Sequence, residues 1–261
     1  MNRSVTGKDA DRWRRAAVAT ANAGLALALV AGLALLLAGA GHRLGWWSFG
    51  TGFRVLRWAA YGGFAAALIS AVGLVIAPLR AQRRGMFRAL AGLIIGLLVI
   101  GVPLSYLQTA RSVPPIHDIT TDPEAPPEFE AIAPLRADAP NPVAYGGPAV
   151  AAQQRTAYPD IAPADYPVAP QAAFEAALVA AADMGWTIIA TDEAAGRIEA
   201  TDRTFWFGFT DDVVIRVRPT DAGSRIDVRS SSRVGVGDFG TNAARVRAYL
   251  RELDEQLNVP R

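Results

Sequence analysis

The chain has 261 residues and a formal net charge of +2, from 26 Lys and Arg against 24 Asp and Glu. That near balance hides a division: residues 1–107 carry 12 basic and 2 acidic residues, a net of +10, whereas residues 108–261 carry 14 and 22, a net of −8. With 51% apolar residues concentrated in the first part, the composition excludes a disordered chain and a single domain in one solvent, and the lack of cysteine excludes disulfides, thiolate metal ligands and cysteine nucleophiles.

Residues 1–15 read as a polar, basic tail. Three apolar runs follow, at about 16–40, 58–79 and 89–107, each near the roughly 20 residues a membrane-spanning helix needs. Ala38-Gly39-Ala40 resembles a signal-peptide cleavage site, but the run before it far exceeds a signal core of about 7–15 residues, so an uncleaved span is expected. Basic residues set the orientation. Arg3, Lys8, Arg12, Arg14 and Arg15 in the tail and Arg80, Arg83, Arg84 and Arg88 between spans two and three make nine on one side. Arg43, Arg54, Arg57 and Arg111 make four on the other. The expectation is a multi-pass protein of a bacterial inner membrane, with its N terminus cytoplasmic and residues 108–261 in the periplasm. No ionisable side chain lies mid-span, which argues against an ion path. Gly92-Leu-Ile-Ile-Gly96 is a literal GxxxG, with Ala66-xxx-Ser70 as a small-residue counterpart in span two, so Gly92 and Gly96 are candidate helix-packing positions.

Residues 111–170 hold 13 of the 17 prolines and show no helical or alternating period. Their scattered anchors, Ile116, Ile119, Phe129, Ile132, Leu135 and Tyr145, predict an extended strap lying against a domain. After Pro170, Phe174, Ala177, Leu178 and Ala181 recur at helical spacing as far as Met184-Gly185. Strands are predicted from Trp186 to Thr191 and from Arg197 to Thr201, then a hairpin of 211–218 and 224–230. A last helix from Thr241 to Leu257 puts Val246, Leu250, Leu253 and Leu257 on one face. The predicted fold is three transmembrane helices followed by an α+β domain: an antiparallel sheet with two helices and the proline-rich N-terminal strap.

Gly235-Val-Gly237-Asp-Phe-Gly240 matches a dinucleotide fingerprint, but the chain has no later strand to complete the unit, so a glycine turn capped by Asp238, Thr241 or Asn242 is the better reading. His117-Asp118-Ile-Thr-Thr-Asp122 places an imidazole and two carboxylates within six residues. With Asp238 these are candidates for a metal-dependent or acid/base hydrolase acting on an envelope substrate, although turns bonding their own backbone account for the pattern as well. On the predicted hairpin Arg216, Arg218, Arg225 and Arg229 fall on the face opposite Val213, Ile215, Val217, Ile226 and Val228, and Arg233 extends the row. Five arginines in an acidic domain form a candidate surface for an anionic lipid, glycan or partner protein, or else a solvated face paired with cross-strand acids. No named enzyme signature occurs; the sequence predicts no cofactor and no metal ion, and placement outside the cytoplasm excludes nucleic acid as a partner.

Pro115-Ile-His-Asp-Ile-Thr-Thr-Asp122 with Pro126-Pro127-x-Phe129, Tyr158-Pro159, Gly185-Trp186, Gly208-Phe209-Thr-Asp-Asp-Val213 and Ser232-Arg-Val-Gly235-x-x-Asp238-x-Gly240-x-Asn242 together resemble the domain of unknown function family numbered 1499. The resemblance runs from about Arg111 to Leu257 and leaves out the three spans. It implies that the strap belongs to the domain and that the glycine turn is a domain feature, and it carries no activity with it. The leading expectation is a membrane-anchored protein whose periplasmic domain binds an envelope component; a hydrolase, and a structural assembly module built on Gly92 and Gly96, are the alternatives.

Overall fold

The computed structural model describes residues 7–76 and 83–259. The turn after the second apolar run, with Arg80 and the last residues of that expected span, lies outside the described residues, as does Arg3. Three helices, α1 (Gly7–Arg43), α2 (Phe49–Ile76) and α3 (Arg83–Ser112), are long and apolar enough to cross a membrane. All three extend beyond the apolar runs. Hydropathy marks what hydrocarbon can hold, whereas helical hydrogen bonding continues into polar turns until something stops it; after α1 that is Gly45 at φ +75°.

The chain forms two units: 1–108 with Trp206–Gly208, and 109–205 with 209–261. Within the first, small residues let helix backbones approach closely. A Cβ on Gly92 would stand 2.4 Å from Ser70 Oγ, and one on Gly24 would meet the same hydroxyl at 2.4 Å, so Ser70 of α2 fills a notch between α1 and α3. A Cβ on Gly96 would lie 2.8 Å from the Gly63 carbonyl oxygen and 2.9 Å from the Ala67 nitrogen. In the same unit the Trp206 indole N–H donates to the Leu36 carbonyl at 3.2 Å, and His42 Nδ1 meets the Phe207 carbonyl at 2.7 Å.

In the second unit the order is β1 (Asp118–Thr120), a 3-10 turn (Ala133–Arg136), α4 (Gly147–Ala157), β2 (Ala164–Tyr166), α5 (Pro170–Asp183), β3 (Thr187–Asp192), β4 (Arg197–Arg203), β5 (Thr210–Thr220), β6 (Gly223–Ser232) and α6 (Thr241–Leu257). Every pairing is antiparallel, in the order β1-β6-β5-β4-β3, with β2 also on β6. β1 covers Arg229–Ser231 and β2 covers Ser224–Ile226, so two short strands from the strap close one edge of β6 in succession. The strap therefore adds two strands to the expected sheet. It also contains a helix that its sequence conceals: α4 starts on Gly147-Pro148, where proline's missing N–H costs nothing, and continues through alanines and glutamines too weakly apolar to show a period.

One face of the sheet meets α5 and α6. Ile198, Ala200, Val213, Ile215, Val217, Ile226 and Val228 pack there against Phe174, Ala177, Ala181, Val246, Tyr249 and Leu253, and the Trp186 and Tyr249 rings stack at 5.1 Å. The strap covers the other face, with Phe129 and Ile132 on Val214.

Gly96→Leu is expected to destabilise the helical unit by about 1–3 kcal/mol, the usual range for overpacking a filled contact. Gly101→Leu is the control, because a Cβ there meets nothing within 4 Å. Thermal unfolding of the detergent-solubilised chain should show a lowered midpoint for the first variant only.

Candidate functional site

Alternation along β5 and β6 settles where the arginines go. With Val213, Ile215, Val217, Ile226 and Val228 in the helix-side core, Arg216, Arg218, Arg225 and Arg229 emerge beneath the strap, Arg216 opposite Asp227 and Arg218 opposite Arg225. They share a face that the strap covers in part, with the Arg218 and Arg225 side chains still 41% and 42% exposed. Arg229 is 2% exposed; its guanidinium grips Asp118 through two bonds of 2.9 and 2.7 Å, donates to the Pro127 and Val143 carbonyls, and lies over the Phe129 ring at 4.9 Å. Arg216 and Arg218 both donate to Asp227 and Asp122, and Arg216 reaches the Ala125 carbonyl at 2.8 Å. Arg225 forks onto Asp165 at 2.8 and 2.9 Å, and Arg233 onto Asp212 at 2.9 and 2.8 Å. Each of the five arginines is held by carboxylates of the domain itself.

His117, Asp118, Asp122 and Asp238 have separate engagements. The His117 ring meets the Val236 carbonyl at 3.3 Å, and Asp118 holds Arg229. Asp122 accepts the Ala125 N–H in a local turn while its other oxygen takes Arg216 and Arg218. Asp238 accepts the N–H groups of Gly240 and Asn242 at 2.9 and 2.6 Å, which makes it the residue that organises the glycine turn ahead of α6. Among the described residues no cluster of three His, Asp or Glu groups is placed to hold a metal ion.

Three polar residues central to the geometry escaped the sequence reading. Glu199, 1% exposed in the middle of β4, accepts the backbone N–H groups of Glu130, Ala131 and Ile132 at 2.9, 3.0 and 2.8 Å and so fastens the strap to the sheet. Arg136, also buried, places Nη1 3.3 Å from Asp212 and donates to the Ser232 carbonyl; burial lowers its pKa. On the helix side, Arg245 pairs with Asp211 and Asp202 and donates to Asn242 Oδ1 at 2.6 Å. The signal for Glu199 was present: it sits between Ile198 and Ala200 on a core strand, so it must face the strap.

Beside these pairs the strap leaves a cleft of about 500 Å³. Glu124, Glu128 and Glu130 line its strap wall and Arg197 and Arg216 its sheet wall. Arg197 forks onto Glu130 at 2.6 and 2.7 Å, and Arg155 takes Glu124 at 2.6 Å. The Glu128 side chain is exposed.

Removing one partner of a buried pair strands the other, at a cost of about 3–5 kcal/mol. Arg229→Met should destabilise the domain by that amount, and Asp118→Leu combined with Arg229→Met by clearly less, read as denaturation midpoints of the full chain in detergent.

Burial also pushes the Asp238 carboxyl above the ordinary carboxylate range, against the pull of its two N–H donors, and raises Asp211 in the same direction. For a group raised on folding, the stabilising contribution is complete below the unfolded pKa and is lost as pH rises through the folded one. Asp238→Asn, which does not titrate, should therefore gain on the wild type in urea midpoint as pH climbs through that window. A difference that stays constant with pH would contradict the assignment.

No curated protein and no solved structure matches the chain. A family model does, over residues 118–253, from the first residue of β1 into α6. The chain thus belongs to the family described as protein of unknown function DUF1499.

Proposed function

We propose that this is a membrane-anchored binding protein of the bacterial inner membrane whose C-terminal domain faces the periplasm and holds a polar envelope component, a glycan or peptide bearing both charges, in the cleft beneath the strap. The orientation rests on the excess of basic residues on the N-terminal side of the helices. The cleft carries the binding reading: its strap wall bears the exposed Glu128 carboxylate, beside the ion pairs Arg155–Glu124 and Arg197–Glu130 and across from Arg216, which Asp122 and Asp227 hold, and polar groups converging on a concavity fix the orientation of a ligand. An anionic ligand spread over the five-arginine face fits less well, because Asp118, Asp122, Asp165, Asp212 and Asp227 already occupy those guanidinium groups. A binding role also fits better than a hydrolase, since His117, Asp118, Asp122 and Asp238 are each tied into separate ion pairs and turns.

The test is affinity capture of the full-length protein from its own membranes, with mass spectrometry of what co-purifies. A glycan or peptide recovered with the wild type should be lost with Glu128→Lys and kept with Arg251→Glu, an exposed change on α6. Undiminished recovery with Glu128→Lys would remove the cleft from consideration.

A further inference from the structure

The end of the sheet where β4 turns into β5 and β6 leaves for α6 carries large apolar side chains on its outside. Phe205, in the first connection, is 93% exposed; Val236 and Phe239, in the second, are 79% and 42% exposed. Arg203 pairs with Thr210 and Asp211 with Ser232, so the two connections lie at the same end. Apolar side chains of this size exposed at one end of a sheet mark a contact surface.

What covers them follows from the chain itself. α3, a helix apolar enough to cross a membrane, ends at Ser112, and the residues that leave it pack directly on the second connection. Val113 Cγ1 lies 3.6 Å from the position of a Cβ on Gly240, Pro115 Cα lies 3.2 Å from that of one on Gly237, and the Asp238 N–H bonds the Ile116 carbonyl at 3.3 Å. The exposed tip is therefore built on the first residues out of the third helix. Phe205 immediately precedes Trp206–Gly208, the tripeptide that groups with the three helices. Two exposed arginines, Arg111 in the last turn of α3 and Arg203 at the end of β4, belong to the same end. Apolar side chains flanked by arginine are the composition of a surface that rests in the boundary between headgroups and acyl chains.

We propose that this end of the domain is a membrane-contact tip: Phe205 and Val236 enter the headgroup–acyl boundary of the bilayer that α1, α2 and α3 cross, with Arg111 and Arg203 on anionic headgroups. The tip shares no residue with the cleft and holds for either orientation of the chain, so it stands or falls separately from the binding reading.

The absence of cysteine makes the test direct, since each single-cysteine variant carries one label. Bimane is attached at Phe205→Cys, at Val236→Cys and, as a control in the exposed turn at the opposite end of the sheet, at Ala222→Cys. The full chain is reconstituted into phosphatidylcholine–phosphatidylglycerol vesicles with and without brominated acyl chains. Bromine should quench the labels at 205 and 236 several-fold more than the label at 222. Quenching at either tip position no greater than at 222 overturns the proposal.

Discussion

The guanidinium of Arg229 is where the C-terminal domain is joined. It projects from β6, binds Asp118 in β1, and takes up the carbonyls of Pro127 and Val143 and the ring of Phe129 from the strap. A charge this deep is tolerable only where a carboxylate and further acceptors meet it, because an unpaired buried cation costs more than folding returns. Arginine meets that demand where lysine would not: its planar fork satisfies a carboxylate bidentately and still has donors for carbonyls. The irregular stretches of the strap, between β1 and α4, thereby gain partners for carbonyls that would otherwise be buried without them. Glu199 does the converse, accepting three consecutive N–H groups around the turn that carries Ile132 into contact with Val214. Arginines from the sheet for the strap's carbonyls and the Glu199 carboxylate for its amides hold an irregular segment against a sheet face.

This explains the charge pattern of the acidic half. Its arginines look like a basic stripe against the domain's net charge of −8 only while the acids are left out of the picture. Asp118, Asp122, Asp165, Asp212 and Asp227 come from several places along the chain and converge on those arginines, so that each positive charge on the face is met by a negative one. A surface stripe would have contributed little to stability, since exposed pairs are worth about 0–1 kcal/mol. Beneath the strap the Arg229–Asp118 pair, with side chains 2% and 5% exposed, is protected from water and salt, whereas the Arg225–Asp165 pair stays at the surface.

Regular elements were legible in the sequence to the extent that their periods were strong. The bounds of α6 coincide with expectation because Gly240 precedes it and Val246, Leu250 and Leu253 repeat cleanly; the β5–β6 hairpin lies within a residue or two of its predicted limits because alternation there is strict. The arginines' common face was legible for the same reason, since strand period fixes sidedness. What covers that face was not, because the contacts between Asp118 and Arg229 or Glu199 and Glu130 join residues far apart in the chain and follow no local rule. α4 stayed hidden because alanine and glutamine favour helix without marking a face, and because the prolines around it dominate the composition.

The closure of the sheet also limits where the domain can meet anything else. Helices α5 and α6 occupy one face, the strap the other, and β1 and β2 one edge. The remaining edge, β3, is blunted by an irregularity in its pairing between Ile188 and Ala190, the kind of break that discourages a foreign strand from adding to a sheet. On the strap side, open surface is thus left to the connections and to the seam where the strap departs from the sheet, both held in place by a rigid scaffold. The cleft at Glu128 and Arg197 and the apolar end at Phe205 and Val236 lie on that seam and on those connections. They are placed there by the same constraint that buried Arg229: a strap bonded tightly enough to shut one face of the sheet leaves only its margins open.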